Sequence, residues 1–239
     1  MEHIDKVKGT FGKHDTKEVS ADTVSPAVIR RLPRYHRYLG DLLRDNHLRI
    51  SSAELSRLMN VTASQIRQDL NCFGGFGQQG YGYNVKYLYS KISELLGVNE
   101  GFGAVIIGAG NLGRALVSSH MFERRGVERL ALFDVKEEII GTTVAGIPIL
   151  HIDALADFCR ENKPSIAVLT TPKDEAYKMA TLLVKLGVKG FWNFSNMELK
   201  IEDPEVVIQN IHLGDSLMTL CYQIASKNNE NKLLEEEDG

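Results

Sequence analysis

Cysteine is scarce in this chain: three in 239 residues, Cys72, Cys159 and Cys221, far apart and odd in number. No C-x-x-C pair and no His/Cys cluster has metal-ligand spacing. A disulfide framework and a bound metal are therefore not expected, and the thiols read as reduced, in a cytoplasmic protein. Long apolar runs are also missing, and none approaches the roughly 20 residues of a membrane-spanning helix. Met1 to Lys17 is charged and carries no apolar h-region, so no secretory leader is expected. Charge of one sign is not in excess overall, since the net charge is only −3, but it is unevenly spread. Residues 25–92 hold ten Lys/Arg (Arg30, Arg31, Arg34, Arg37, Arg44, Arg49, Arg57, Arg67, Lys86, Lys91) against four acids (Asp41, Asp45, Glu54, Asp69). That is +6 for this segment and −9 for the rest of a chain at −3. A basic segment on an acidic chain points to a polyanionic partner for that segment, with an ordinary solvated surface as the plainer reading.

What is present begins with length. A chain of 239 residues with 43 % hydrophobic content can bury two cores. The run Gly108-Ala109-Gly110-Asn111-Leu112-Gly113 follows the apolar stretch Ala104 to Ile107, and Asp134 ends the next apolar stretch, Leu130 to Phe133. Strand, G-x-G-x-x-G turn, helix and second strand with an acid about twenty residues on form a dinucleotide-binding unit. The first glycine makes the tight turn, the second lets the backbone touch a pyrophosphate, and the third lets helix and strand pack closely. The helix N-terminus offers free N–H groups to the phosphates. Asp134 would accept an adenosine 2′-hydroxyl, which favours NAD over NADP.

Beyond Asp134, strands (Ile147 to Leu150, Ser165 to Thr170, Lys189 to Phe194, Glu205 to Ile211) alternate with helices (Ile152 to Cys159, Lys173 to Leu186). Such alternation gives a parallel sheet with helices on both faces and ligands at the strands' carboxyl ends. Thr170, Thr171 and Pro172 after one strand, and Asn193 and Phe194 after another, hold those places. Each is either the nicotinamide end of a site or a plain strand-to-helix turn. A last helix, Asp215 to Ser226, carries Leu217, Leu220, Cys221 and Ile224 on one face after the sheet is complete. It covers its own sheet or docks on a partner.

The basic segment reads differently. After a polar arm, 1–24, expected to be disordered, Ser25-Pro26 opens a helix with Ile29, Leu32, Tyr35, Tyr38, Leu39, Leu42 and Leu43 at helical spacing, interrupted by Pro33. Ser51 to Glu54 and Thr62 to Gln65 then form two capping-box patterns, each opening a short helix, with Met59-Asn60-Val61 as a turn of about three residues between the helices. Short helix, tight turn and second helix make a helix-turn-helix, whose second helix enters the major groove. Phe73 to Tyr83 alternates five glycines with aromatics, a hairpin pattern that makes a wing. Expected DNA contacts are Arg30, Thr62, Ser64, Gln65, Arg67, Gln68, Asn71, Gln78, Gln79 and Tyr83. Asn84 caps a further helix that ends at Gly97.

These residues resemble the Rex family of redox-sensing transcriptional repressors, from about Ser25 to Ser226. The resemblance lies in Arg31-Leu32-Pro33 with Tyr38-Leu39, Val61-Thr62 leading into Gln65-Ile66-Arg67-Gln68-Asp69-Leu70, Phe73 to Gly77, and Gly80 to Val85. Gly108 to Leu116, Gly146-Ile147-Pro148 and Asn193-Phe194 complete it. It implies an α/β chain with an N-terminal winged-helix DNA-binding domain (25–97) and a Rossmann-type parallel-sheet NAD-binding domain (98–213). An exchanged C-terminal dimerisation helix (214–226) and an acidic tail (227–239) follow. It further implies a homodimer on double-stranded palindromic operator DNA, with NADH weakening operator binding relative to NAD⁺. Gln68 and Gln78-Gln79 stand where Lys or Arg is usual, and Ser119 where Tyr is common. His212 replaces an Asp thought to couple the subunits through Arg31, so Arg31, Ser119 and His212 are the expected switch residues.

Two other functions compete. An NAD(H)-dependent oxidoreductase needs a positioned acid or base. The pair Tyr87 and Lys91 has Tyr-x-x-x-Lys spacing but precedes the glycine motif, and His120, His151 and His212 are isolated. A module for another adenine nucleotide, such as coenzyme A, shares the fold, and Asp134 argues against it. Lys136 weakens the case for excluding a 2′-phosphate. No catalytic residue and no metal ligand is expected.

Overall fold

The computed structural model describes residues 25–72, 77–78 and 82–237. They form two compact units that divide between Gly97 and Val98. The expected arm 1–24 lies outside the described residues, as does most of the expected wing.

In the N-terminal unit Ser25 caps α1 (Pro26–Arg44), its side chain accepting from the Val28 N–H. The helix runs through Pro33 without a break. Proline forfeits one helical hydrogen bond, but Val28, Leu32, Tyr35 and Leu39 bury one stripe on both sides of it. β1 (Arg49–Ile50) and α2 (Ser52–Met59) follow, and Ser51 and Glu54 close a full capping box. Asn60, at φ 50°, turns the chain from α2 into α3 (Ala63–Asn71). β2 (Gly77–Gln78) and β3 (Gly82–Asn84) pair antiparallel, and β1 joins β3 on its other side. α4 (Val85–Leu95) completes the unit. Leu55 and Met59, Ile66 and Leu70, and Val85, Leu88 and Ile92 meet the α1 stripe in one core. The order α1-β1-α2-α3-β2-β3, with α4 appended, is that of a winged helix. The strand β1 escapes sequence analysis because two residues carry no period.

The C-terminal unit is built on β4 (Phe102–Ile107), β5 (Val127–Asp134), β6 (Thr143–Val144), β7 (Ile147–His151), β8 (Ile166–Leu169), β9 (Gly190–Asn193) and β10 (Val207–Asn210). The sheet order is β10-β9-β8-β4-β5-β7-β6, parallel except for the short edge strand β6. Successive residues of β4 bury on opposite faces: Val105 and Ile107 with Phe133 and Leu169, Ile106 with Leu132 and Val168. A sheet covered on both sides needs continuous apolar strands, which is why these read as unbroken runs. α5 (Asn111–Ser118), α6 (Leu155–Asn162) and α7 (Lys173–Lys185) are the crossovers. The order reverses at β4, which lies between β5 and β8, and this places a crevice over their carboxyl ends.

The last helix, α8, spans Leu213–Glu237, well past the Ser226 end read from the sequence. Its continuation contains no glycine or proline before Gly239, so nothing in the chain stops it. Leu217, Met218, Leu220, Tyr222 and Ile224 are all exposed along it.

Candidate nucleotide site and nucleic-acid interface

The crevice is framed by the turn after β4 and the turn after β8. Gly108 has φ 101°, a conformation open to glycine. A Cβ on Gly113 would stand 2.1 Å from the Gly108 carbonyl oxygen, so helix α5 packs against the turn only because that residue lacks a side chain. A Cβ on Gly110 would meet nothing within 4 Å. The second glycine thus faces open space while the third is closed against its own chain. This is the division of labour that brings a phosphate onto the backbone at a helix N-terminus.

Asp134, at the end of β5, shapes the turn. Its Oδ2 accepts the Ala109 N–H at 2.6 Å, and Oδ1 accepts the Val135 and Lys136 N–H groups at 2.8 and 3.1 Å. A carboxylate has about four acceptor positions, so one on Oδ2 remains for a hydroxyl. Across the crevice Thr170 Oγ1 sits 3.0 and 2.9 Å from the Ile107 and Gly108 carbonyls and ties the two turns together. Thr171 Oγ1 is buried with no hydrogen-bond partner, the sole such side-chain atom among the described residues. An orphaned hydroxyl beside a phosphate-ready turn fits a polar ligand. Asn111 and Pro172 are exposed at the rim, Leu112 is half-buried, and Ala109 is buried.

Asn193 differs from expectation. It is fully buried, with Nδ2 donating to Met197 O and Asn210 Oδ1, and Oδ1 accepting from the Ser195 N–H and hydroxyl. Its amide has no group left for a nicotinamide, so it is a support for the loop behind the crevice. Phe194 packs edge-on to Trp192, with ring centroids 4.6 Å apart.

Asn210 continues the chain of bonds. Its Nδ2 donates to Glu198 Oε2 at 2.9 Å, and Glu198 Oε1 lies 2.8 Å from His212 Nε2. Polar contacts therefore run from the end of β9 to the residue before α8. No spacing in the sequence marks Glu198 or Asn210. Ser119 caps α5 and accepts the Met121 N–H on its hydroxyl.

In the N-terminal unit, α3 shows Ser64, Arg67, Gln68 and Asn71 to solvent. Thr62 caps it by accepting the Gln65 N–H. The reciprocal half of that capping box is absent, because the Gln65 side chain donates to Asp69 instead. Arg67 Nη1 donates to Ser52 Oγ at 3.2 Å, and Arg30 is exposed on α1. Gln78 lies in β2, and Gln79 falls outside the described residues. Tyr83 corrects the sequence reading: at 8 % exposure it belongs to the core, because its pairing with Ile50 in β1 turns that face of β3 inward. Burial pushes its hydroxyl pKa up.

Arg31, an expected switch residue, is engaged within the N-terminal unit. Its Nε and Nη2 both donate to Asp69, each at 2.7 Å, so its fork is held within its own chain, while His212 is held by Glu198. Asp69 is buried completely and takes two further donors, the Tyr35 hydroxyl at 2.9 Å and Gln65 Nε2 at 2.7 Å. Burial raises its pKa, but Arg31, Tyr35 and Gln65 outweigh that and the net shift is downward. A carboxylate on the apolar stripe of α3, beside Ile66 and Leu70, was the signal for such a buried partner set.

The Tyr-x-x-x-Lys pair of the oxidoreductase reading does not belong to the nucleotide unit. Tyr87 and Lys91 both belong to α4 in the N-terminal unit, where Lys91 Nζ pairs with Glu94. Among the described residues no group of His, Cys, Asp and Glu could hold a metal ion, and no helix is long and apolar enough to cross a membrane.

Two family models match, "Putative DNA-binding protein N-terminus" over residues 23–71 and "CoA binding domain" over residues 100–197. A protein of Thermoanaerobacter sp. (strain X514), "Redox-sensing transcriptional repressor Rex", is 48 % identical over 90 % of this chain and 94 % of its own. One of the same name from Caldicellulosiruptor bescii is 50 % identical over 90 % of this chain and 96 % of its own. Both relatives are named as repressors, not as enzymes. Among solved structures, RSP in complex with β-NAD⁺ and operator DNA is 47 % identical with a TM-score of 0.80, over 88 % of this chain and 96 % of that one. RSP in complex with β-NADH is 44 % identical with a TM-score of 0.79, over 88 % and 98 %. With this identity over nearly the whole length, and with a winged helix joined to a glycine-turn nucleotide unit, the chain belongs to the Rex family of redox-sensing transcriptional repressors.

Proposed function

We propose that this chain is a cytoplasmic homodimeric repressor that binds palindromic operator DNA through its winged helix and releases it when NADH fills the crevice. The observation that carries this reading is the crevice itself: an open Gly110, a closed Gly113, and Asp134 with one acceptor position to spare. A bare ribose 2′-hydroxyl suits that carboxylate, which favours NAD(H) over a 2′-phosphorylated nucleotide and over coenzyme A. NADH and NAD⁺ differ in the charge and planarity of the nicotinamide ring, and only that difference can make their effects on DNA differ. Thr171, with its orphaned hydroxyl, and Pro172 and Phe194 stand where the ring end would lie. Phosphates would rest on the N–H groups of Gly110, Asn111, Leu112 and Gly113.

DNA contacts are assigned to Arg30, Thr62, Ser64, Gln65, Arg67, Gln68 and Asn71, with Gln78 and Gln79 from the wing. Gln at 68, 78 and 79 gives fewer phosphate charges than Lys or Arg and shifts discrimination toward hydrogen bonding. The exposed apolar face of α8 is assigned to the partner subunit. The bonds Asn193–Asn210–Glu198–His212 connect the crevice loop to the start of that helix, and Ser119 stands at the far end of α5.

The test is a titration of NADH and NAD⁺ into the complex of the protein with operator DNA recovered by selection from a random duplex library. NADH is expected to dissociate the complex and NAD⁺ to leave it intact. Equal effects of the two, or none, would remove redox sensing from this chain.

A further inference from the structure

A glutamine side chain can present either end of its amide, and its environment decides which. For Gln65 the environment leaves one choice. The group beside it is Asp69, a buried carboxylate that can only accept. Gln65 Nε2 donates to Asp69 Oδ1 at 2.7 Å, the same oxygen that takes Arg31 Nη2. Turning the amide over would set two acceptor oxygens against each other in a half-buried pair. Among the described residues Gln65 Oε1 has no hydrogen-bond partner and is not among the buried unpartnered atoms, so it opens away from them. Gln65 is the third residue of α3, in the first turn, where recognition helices meet base edges.

We infer that Asp69 fixes the polarity of Gln65, so that the recognition helix offers a lone carbonyl oxygen there and selects a base with a major-groove amino group. This rests on the DNA-reading role proposed above for α3. A glutamine that pairs with adenine in two places uses both ends of its amide. With Nε2 held by Asp69, only Oε1 remains. Adenine N6 and cytosine N4 can donate to it, whereas guanine O6 and thymine O4 present acceptors and are rejected. The result is a two-letter preference, A or C against G or T, at one position of each half-site. Gln65 is the specificity-determining residue, and Asp69 is a positioning residue that acts through it. Arg31 and Tyr35 complete the device by holding Asp69 charged and still.

The experiment is selection from a duplex library randomised over the half-site, with the full-length protein and its Gln65→Ala and Asp69→Asn variants. The unaltered protein is expected to prefer A and C over G and T at one position by about 2- to 10-fold, the range of one neutral hydrogen bond. Gln65→Ala should erase that preference and leave the other positions as they were. In Asp69→Asn the amide oxygen keeps Arg31 Nε and the Tyr35 hydroxyl in the place of Oδ2, so its nitrogen takes the place of Oδ1, gives up the Arg31 Nη2 bond, faces Gln65 and turns that amide over. The same position should then prefer G and T. A purely structural role for Asp69 would weaken all sequences alike and exchange no preference. If Asp69→Asn does not fold, the Gln65→Ala profile decides alone. The inference fails if Gln65→Ala selects the same sequences as the unaltered protein, or if the lost preference is for adenine over cytosine. Selection of no sequence by the unaltered protein would remove the DNA-reading role, and this inference with it.

Discussion

The sharpest consequence of the crevice geometry concerns Asp134→Ala. The carboxylate does two things at once: it holds the Ala109 N–H of the glycine turn and keeps an acceptor position beside it. A hydroxyl bonded to a charged acceptor is worth about 1.5–3 kcal/mol, so NADH should bind about 10- to 100-fold more weakly to Asp134→Ala. For NADPH the sign is opposite. A phosphate charge about 5 Å from the carboxylate costs about 3 kcal/mol at an effective dielectric of 20. Asp134 is half-buried, so solvent reduces this to about 1.5 kcal/mol, roughly a tenfold handicap. The unaltered protein should therefore prefer NADH over NADPH by more than about tenfold, and Asp134→Ala should bring the two within about threefold. The assay is built in, because Trp192 is the chain's single tryptophan and lies in β9 of the sheet that carries the crevice. Energy transfer from Trp192 to bound dinucleotide gives both affinities in one titration. Equal NADH and NADPH affinities in the unaltered protein, or a variant that keeps the full preference, would refute this role for Asp134.

Three further outcomes follow from side chains already described. Removing the buried acceptor in Asp69→Ala strands Arg31, Tyr35 and Gln65; with Arg31 still 26 % exposed, the cost should be about 3 kcal/mol, read as a lowered midpoint in urea unfolding. The folded pKa of Asp69 is depressed, so its contribution should be complete above about pH 4 and drain as pH falls further; an acid limb unchanged by Asp69→Ala would contradict this. Charging the exposed face of α8 with Leu217→Glu and Leu220→Glu should convert the dimer to monomer in sedimentation equilibrium and weaken operator binding, and a variant that stays dimeric would place the subunit interface elsewhere.

Much of this architecture was legible because its signals are periodic or steric. Val105, Ile106 and Ile107 announce a strand buried on both faces, and Gly108, Gly110 and Gly113 announce their turn by spacing alone. Ser25, Ser51 and Thr62 mark three helix starts through short-range bonds that a sequence displays. What stayed hidden depends on contacts between residues far apart in the chain. Tyr83 reads as a wing aromatic until β1 pairs with β3 and turns it inward. Asn193 reads as a ligand contact until Asn210, 17 residues on, takes its amide. Arg31 reads as a subunit-coupling residue, and nothing in the sequence shows that Asp69, 38 residues away, holds its fork. The end of α8 is hidden for a different reason: an acidic, polar stretch resembles a tail, and only the absence of a breaker shows that the helix continues.

In the proposed function one equilibrium joins the crevice to the DNA-reading helices, and linkage makes it measurable from either side. If NADH weakens operator binding by some factor, operator DNA must weaken NADH binding by the same factor. The direct measurement is the NADH dissociation constant, free and with saturating operator, set beside the operator dissociation constant with and without saturating NADH. A coupling of 1–3 kcal/mol, about 5- to 150-fold, is the ordinary scale of such effects. The two ratios should agree and exceed about fivefold for NADH, with a ratio near one for NAD⁺. An NADH affinity that operator DNA leaves unchanged would contradict the account.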